Sequence, residues 1–199
     1  TLVDDIQFIS APATAQGYFQ NVGKTRRQGL ELAGRSRFGP LGIAASYSYI
    51  DATYRSSWVA SSPSNSSADS NGNIAVHSGD KIPGIPAHTV KLRLDYAATP
   101  KWTIGANATY RSGVYAQGDE NNADSNGKIG GYVLIDVDTA YRITKRLQVF
   151  ATLSNLLNKR YASVGTLGQN FFNGPNHTFD GSAPVNEAFV GPGAPRGAW

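Results

Sequence analysis

The chain has 199 residues, a net charge of +4, no Cys and no Met. Without Cys there is no disulfide framework, thiol chemistry or Cys-based zinc site, and no apolar run reaches the roughly 18 residues of a membrane-spanning helix. Abundant Gly, Ser, Asn and Tyr, few helix formers and a polar overall hydropathy leave an all-β chain, either soluble or a barrel that hides its apolar residues in alternate positions.

Residues 2–9 read as a strand and 11–17 as a loop. From 18 to 38 the chain is extended, with Leu30, Leu32 and Phe38 on one face and Glu31, Arg35 and Arg37 on the other. Gly39-Pro40 is a tight turn signal. The return strand sets Leu41, Ile43, Ala45, Tyr47 and Tyr49 against Gly42, Ala44, Ser46 and Ser48. Residues 55–86 are rich in Ser and Asn and have no period, so they read as a long loop. The clearest alternation follows, in a strand over 87–98: Val90, Leu92, Leu94 and Tyr96 on one face, Lys91, Arg93 and Asp95 on the other. After the turn Thr99-Pro100-Lys101, a strand over 101–115 carries Trp102, Ile104, Ala106, Ala108 and Tyr110 on one face. A polar loop over 116–130 leads to a strand that sets Val133, Ile135, Val137 and Tyr141 against Asp136, Asp138 and Arg142. The turn Thr144-Lys145 opens a last alternating run with Leu147, Val149, Ala151 and Leu153. Residues 162–186 read as a loop rich in Gly, Asn and Phe, and a stretch rich in Pro and Gly runs to Trp199.

The connections fall into two classes. Those at Gly39-Pro40, Thr99-Pro100 and Thr144-Lys145 are a few residues long, and those between them run to roughly 15–30 residues, well above hairpin length. Strict alternation of short and long places all short turns at one end of an up-and-down sheet. That is the pattern of a membrane β-barrel, with short periplasmic turns, long extracellular loops, an apolar outer face and a wet lumen. The expected fold is therefore an antiparallel up-and-down transmembrane β-barrel, of which this chain supplies about eight strands. A small complete outer-membrane barrel with a structural or adhesive role, and a secreted β-sandwich binding module, stand as alternatives. The chain starts at Thr1 with neither an initiator Met nor a signal-peptide pattern, which reads as a processed product or a fragment.

Four segments carry a family resemblance. Asn155-Leu156-Leu157-Asn158-Lys159-Arg160-Tyr161 resembles the "N-L-F-N-K-x-Y" box near the C-terminus of TonB-dependent outer-membrane receptors. Asn21-Val22-Gly23, followed by Gln28-Gly29-Leu30-Glu31, resembles that family's "N-x-G-x-x-x-x-x-G-x-E" strand. Ile82-Pro83-Gly84-Ile85-Pro86-Ala87-His88 is similar to its "P-x-x-P-x-H" segment, and Pro195-Arg196 to the "P-R" before the last strand. The resemblance implies a barrel of about 22 strands with a plugged lumen that imports a scarce ligand, most often a ferric siderophore, across the bacterial outer membrane. It also implies partners: outer-membrane lipid, the siderophore or a similar small ligand, and a plug domain and TonB that lie outside this chain. Residues 1–199 then form the C-terminal part of the barrel with the plug absent, and Trp199 begins the final strand.

The chemistry-bearing residues fit a passive role. The seven residues Lys91, Arg93, Asp95, Arg111, Asp136, Asp138 and Arg142 fall on lumen positions and are expected to pair, hydrate or meet the plug. Trp58, Tyr115, Phe171, Phe172 and Phe179 lie in or beside long loops and, with His177, are the candidates for gripping a ligand. Asp119-Glu120-Asn121-Asn122-Ala123-Asp124 offers oxygen ligands at calcium-like spacing, and Ala-Asp-Ser-Asn-Gly occurs both at 68–72 and, within the longer acidic run, at 123–127, but no Glu follows at the bidentate position and turn chemistry explains both. His77, His88 and His177 are too scattered for a zinc site. No nucleophile elbow supports a hydrolase, and the basic residues lack the aromatic platform of a nucleic-acid site. No enzyme activity, cofactor, metal or nucleic-acid partner is expected.

Overall fold

The computed structural model describes residues 1–11 and 16–199. Residues 12–15, inside the expected 11–17 loop, lie outside the described residues. Seven strands form one antiparallel sheet: β3 (Thr25–Phe38), β4 (Leu41–Tyr54), β7 (His88–Thr99), β8 (Trp102–Arg111), β11 (Tyr132–Arg142), β12 (Gln148–Ser154) and the short β15 (Gly197–Ala198). They lie side by side in chain order, which is the up-and-down topology that the turn lengths predict. The sheet is open, with β3 at one edge and β15 at the other.

The three short turns close by local chemistry. Gly39 takes φ +57, a left-handed conformation that only Gly adopts at little cost, so Phe38 can pair directly with Leu41. Thr99 Oγ1 accepts the Lys101 N–H at 3.2 Å, and Thr144 Oγ1 accepts those of Arg146 and Leu147 at 3.1 and 3.0 Å.

The register aligns the alternation across strands. Leu32, Tyr47, Val90, Tyr110 and Val133 form one row, and Phe38, Leu41, Tyr96 and Ile104 belong to another on the same face. This apolar face has no protein against it among the described residues: Leu30, Leu32, Phe38 and Val149 are about half exposed or more. From Leu30 to Phe38, at ~3.3 Å per residue, the face runs roughly 26 Å along the strand, or about 20 Å in height at a ~40° tilt. Tyr49 and Tyr110 edge it toward the long loops, and Trp102, Tyr96 and Tyr141 toward the short turns. An uncovered apolar face of this extent is a contact surface, and its aromatic edges match a membrane-spanning wall.

Several loops contain more structure than their composition suggests. The 55–86 segment holds a hairpin of β5 (Trp58–Ser61) and β6 (Asn73–Val76). The 116–130 segment ends in β10 (Lys128–Ile129), paired with β9 (Val114–Tyr115). Most of the expected loop over 162–186 and the stretch after it form a long hairpin, β13 (Ala162–Asn170) with β14 (Val185–Pro192). Gly165, Gly168 and Gly191 interrupt any alternation there, so the pairing leaves no period to read. The extended run over 18–38 breaks into β2 (Gln16–Asn21) and β3. Gly23 turns the chain at φ +72, and Asn21 Oδ1 accepts the Gly23 N–H at 2.8 Å. β2 pairs instead with β1 (Ile6–Ala11), which starts later than the expected strand over 2–9.

Candidate functional site

The long connections at one end of the sheet pack into a platform. Ala60, Ile74 and Val76 of the β5–β6 hairpin bury against Ala52 and Tyr54 of β4 and against Val22 and Ile82. Val114, Ala116, Ile129 and Leu167 form a second cluster from β9, β10 and β13. A polar junction joins the loops that carry these clusters. Ser62 Oγ and Asn65 Nδ2 both donate to the Gly118 carbonyl, at 2.7 and 2.9 Å. The Gln117 N–H donates to Gly165 O at 2.9 Å, and the Leu167 N–H donates back to Gln117 O at 2.8 Å.

Asp119 and Glu120 lie at this junction, both buried. The acidic loop spends most of its oxygens on turns and neighbouring loops, although Asp119 Oδ2 and Glu120 Oε2 are buried without a hydrogen-bond partner among the described residues. Asp119 Oδ1 accepts the Asp124 N–H at 2.9 Å, Asp124 Oδ2 accepts the Ser66 N–H at 2.7 Å, and Asn122 Oδ1 accepts the Lys81 N–H at 2.6 Å. The repeated pentapeptide does the same work twice: the Asn71 N–H donates to Asp69 Oδ1 at 2.8 Å and the Asn126 N–H to Asp124 Oδ1 at 2.7 Å. Among the described residues no group of three or more His, Asp or Glu is placed to hold a metal ion.

Burial pushes the Asp119 carboxyl up to about 6 from an ordinary 3.8, against backbone N–H groups of Asp124 and Ala123 that favour the ionised form. Burial raises Glu120 as well, and the neighbouring Asp119 charge adds to it. A carboxyl whose pKa is raised in the packed state stabilises that state fully in acid. For Asp119 this stabilisation is complete below 3.8 and lost as pH rises through about 6. Amide exchange at the junction, corrected for its intrinsic pH dependence, is therefore expected to accelerate across that window, and Asp119→Asn should flatten the step. An unchanged step in the variant would remove Asp119 as its cause.

The structure separates the loop residues singled out from the sequence. Phe171, Phe172 and His177 lie together at the tip of the β13–β14 hairpin, where the ring of Phe179 meets Phe171 at 6.1 Å and Phe172 at 5.7 Å. Phe172 and Phe179 are mostly exposed, and His177 stands in a single 3-10 turn, Pro175–His177. Trp58 packs edge-on against Tyr54 at 5.4 Å within the platform. Tyr115 pairs with Lys128, and its carbonyl accepts the Gly84 N–H at 2.9 Å. The backbone N–H of His77 donates to Asp80 Oδ2 at 2.7 Å.

Lys91, Arg93, Asp95, Arg111, Asp136, Asp138 and Arg142 share the polar face of the sheet, as their alternation requires. Three of them come together. The Arg93 guanidinium crosses Gly105 of β8, gripping Asp138 with two nitrogens and Asp95 at 2.5 Å. Asp136 instead accepts the Asn155 N–H at 2.8 Å. Lys91, Arg111 and Arg142 make no ion pair among the described residues. Phe150 was missed by the sequence reading: opposite Ala140, it stands on this polar face, mostly exposed, and its parity with Gln148 and Thr152 was the available signal.

The family described as TonB dependent receptor-like, beta-barrel matches residues 2–156. The probable TonB-dependent siderophore receptor PiuA of Acinetobacter baumannii is 28% identical over 144 residues, covering 72% of this chain and 18% of the receptor. The probable TonB-dependent receptor BfrD of Bordetella pertussis is 34% identical over 87 residues, 42% of this chain and 12% of the receptor. The crystal structure of the siderophore receptor PiuA from Acinetobacter baumannii superposes with a TM-score of 0.65 at 21% identity, covering 96% of this chain and 23% of that one. The chain thus spans about a fifth of the length of PiuA.

Proposed function

Because the chain belongs to the family of TonB-dependent receptor-like β-barrels, we propose that it forms the C-terminal part of the wall and loops of an outer-membrane receptor that imports a ferric siderophore with energy passed through TonB. The observation that carries this reading is the wall itself: one up-and-down sheet, apolar on one face and charged on the other, with all its long loops packed at one end. The seven strands form a single layer, with no second sheet of similar size opposite them among the described residues, which disfavours a sandwich. The charged face lines the lumen, where Arg93, Asp95 and Asp138 hold one another. Lys91, Arg111, Asp136 and Arg142 then meet water or a plug supplied from outside this chain.

Within the platform, the hairpin tip is the ligand-contacting element. Phe171, Phe172 and Phe179 offer a polarizable ring cluster, with Phe171 stacked on Phe179 and Phe172 edge-on to it, and His177 stands in the same connection; such a cluster suits an aromatic iron chelate. Trp58 and Tyr115, in β5 and β9, hold the platform in shape. The full-length gene product, returned to an iron-starved deletion strain, should restore uptake of one class of ferric siderophore and fractionate with outer membranes. Failure of every siderophore tested together with a soluble location would overturn the proposal. Phe172→Ala with Phe179→Ala is expected to weaken binding by about 2 kcal/mol, roughly thirtyfold in Kd, with the barrel's thermal stability unchanged. An unaltered Kd would remove the tip from the ligand site.

A further inference from the structure

The apolar face of the wall gives way to a charged row on its loop side. In the register Arg26 of β3 stands opposite Thr53 of β4, and Thr53 is bridged from its other side by Lys81. Residues in register share a face, and alternation places this row on the same face as Leu30, Leu32, Tyr47 and Tyr49. Asp51, one step nearer the apolar band, lies between the two cations, 3.4 Å from Arg26 and 2.5 Å from Lys81. One carboxylate thus faces two cations, leaving a positive charge over. Both cationic side chains stay open to solvent, Arg26 at 31% and Lys81 at 47% exposure. Beyond the last ladder pair, Thr25 with Tyr54, exposed Lys24 and Arg55 add two more charges, held side by side by the Arg55 N–H donating to Lys24 O at 2.7 Å.

Directly below the row stands His88, its ring 5.1 Å from that of Tyr49 and its Nδ1 2.9 Å from the Tyr47 hydroxyl. Reading outward along this face, the order is aliphatic side chains, then Tyr and His, then a carboxylate-bridged pair of cations, then free cations. That is the polarity profile of acyl chain, interface and anionic headgroup.

We propose that Arg26 and Lys81 form a binding site for the phosphate of a phosphorylated glycolipid in the outer leaflet. Asp51 holds the two cations in place. The guanidinium fork and the ammonium supply charge-assisted hydrogen bonds to the phosphate, while Tyr47, Tyr49 and His88 pack against the lipid below it. This inference rests on the membrane reading of the wall.

The test uses the full-length protein in zwitterionic nanodiscs, titrated with lipid A, with lipid A stripped of its phosphates, and with inorganic phosphate. The variant Arg26→Gln/Lys81→Gln is expected to lose about tenfold or more in affinity for phosphorylated lipid A and to bind the phosphate-free form as the wild type does. Adding Asp51→Asn removes the carboxylate left unpaired, and this triple variant should show the same loss. Arg35→Gln/Arg37→Gln removes equal charge from the opposite face of β3 and should leave affinity unchanged. Equal loss in that control, no loss in the first two variants, or equally tight binding of inorganic phosphate would overturn the proposal. Flotation with liposomes separates the two readings. A protein that floats yet ignores the lipid phosphate refutes this site alone, and one that does not float refutes the membrane wall.

Discussion

Asn155→Ala is expected to destabilise the C-terminal part of the wall by about 3 kcal/mol. The Asn155 side chain is buried and fully used: Nδ2 donates to Lys159 O at 2.9 Å and to Ala194 O at 3.1 Å, and Oδ1 accepts the Lys159 N–H at 2.8 Å. Truncation leaves two carbonyls and an N–H without partners, at about 2 kcal/mol or more in sum. The residue also sits at φ +49, where Ala costs roughly 1 kcal/mol that Asn escapes in part. The same side chain ties the turn after β12 to the segment before β15, and Asn158, at φ +47, adds a second tie by accepting the Arg196 N–H at 3.3 Å. This explains why an Asn-x-x-Asn box stands at this place. It returns the chain tightly and anchors the strand that joins β12, where Trp199 exchanges N–H and carbonyl bonds with Thr152 at 3.1 and 2.8 Å. Asn155→Gly separates the two causes, since Gly accepts the left-handed φ but makes no side-chain bond. Denaturant unfolding should place Gly between wild type and Ala. Variants within 0.5 kcal/mol of wild type would show that the box is not structural.

The wall was legible because, on the proposed reading, each of its long strands faces lipid on one side and water on the other, so polarity alternates at the strand period. Leu92 beside Lys91 and Arg93 states its face without help from any distant residue. The platform was not legible for the opposite reason. Ala60 and Ile74 are buried by Tyr54 and Val22, residues brought to them only by folding, and in the β13–β14 ladder Gly165 opposite Val190 and Gly191 opposite Val164 have no side chain to mark a face. The junction depends on Asn65 reaching the Gly118 carbonyl across more than fifty residues, which no local pattern encodes. Asp119 and Asp124 resembled metal ligands because Asp and Asn two residues apart serve calcium loops and Asx turns alike. What distinguishes the two is which N–H groups the oxygens meet. Of the loop aromatics, composition placed Phe171 and Trp58 in one class. Packing divides them, since Trp58 has Tyr54 beneath it and the Phe tip has water above.

Two glycines in one row of the wall should respond oppositely to the same substitution. The row runs Gly42, Asp95, Gly105, Asp138 across β4, β7, β8 and β11. A Cβ on Gly42 would meet nothing nearer than Asp95, at 3.7 Å, an ordinary contact. A Cβ on Gly105 would fall 2.5 Å from Asp138 Oδ2 and 2.6 Å from Arg93 Cζ, inside the ion pair that crosses this glycine. Gly42→Ala is therefore expected to stay within about 0.5 kcal/mol of wild type, or gain slightly because Gly weakens a strand. Gly105→Ala should cost about 1–2 kcal/mol, and Gly105→Leu about 3 kcal/mol, as the guanidinium is driven off Asp138. Most of that cost is steric. All three charged side chains are 31–53% exposed, and pairs so wet are worth little in themselves. Arg93→Gln should accordingly cost under 1 kcal/mol and rescue Gly105→Ala in part, by withdrawing the group the new methyl strikes. Thermal unfolding of the four variants in detergent, with a double-mutant cycle for Arg93 and Gly105, measures this directly. A cycle that shows no coupling would mean that Arg93 does not lie across Gly105, and the wall's ion pair would need another path from β7 to β11.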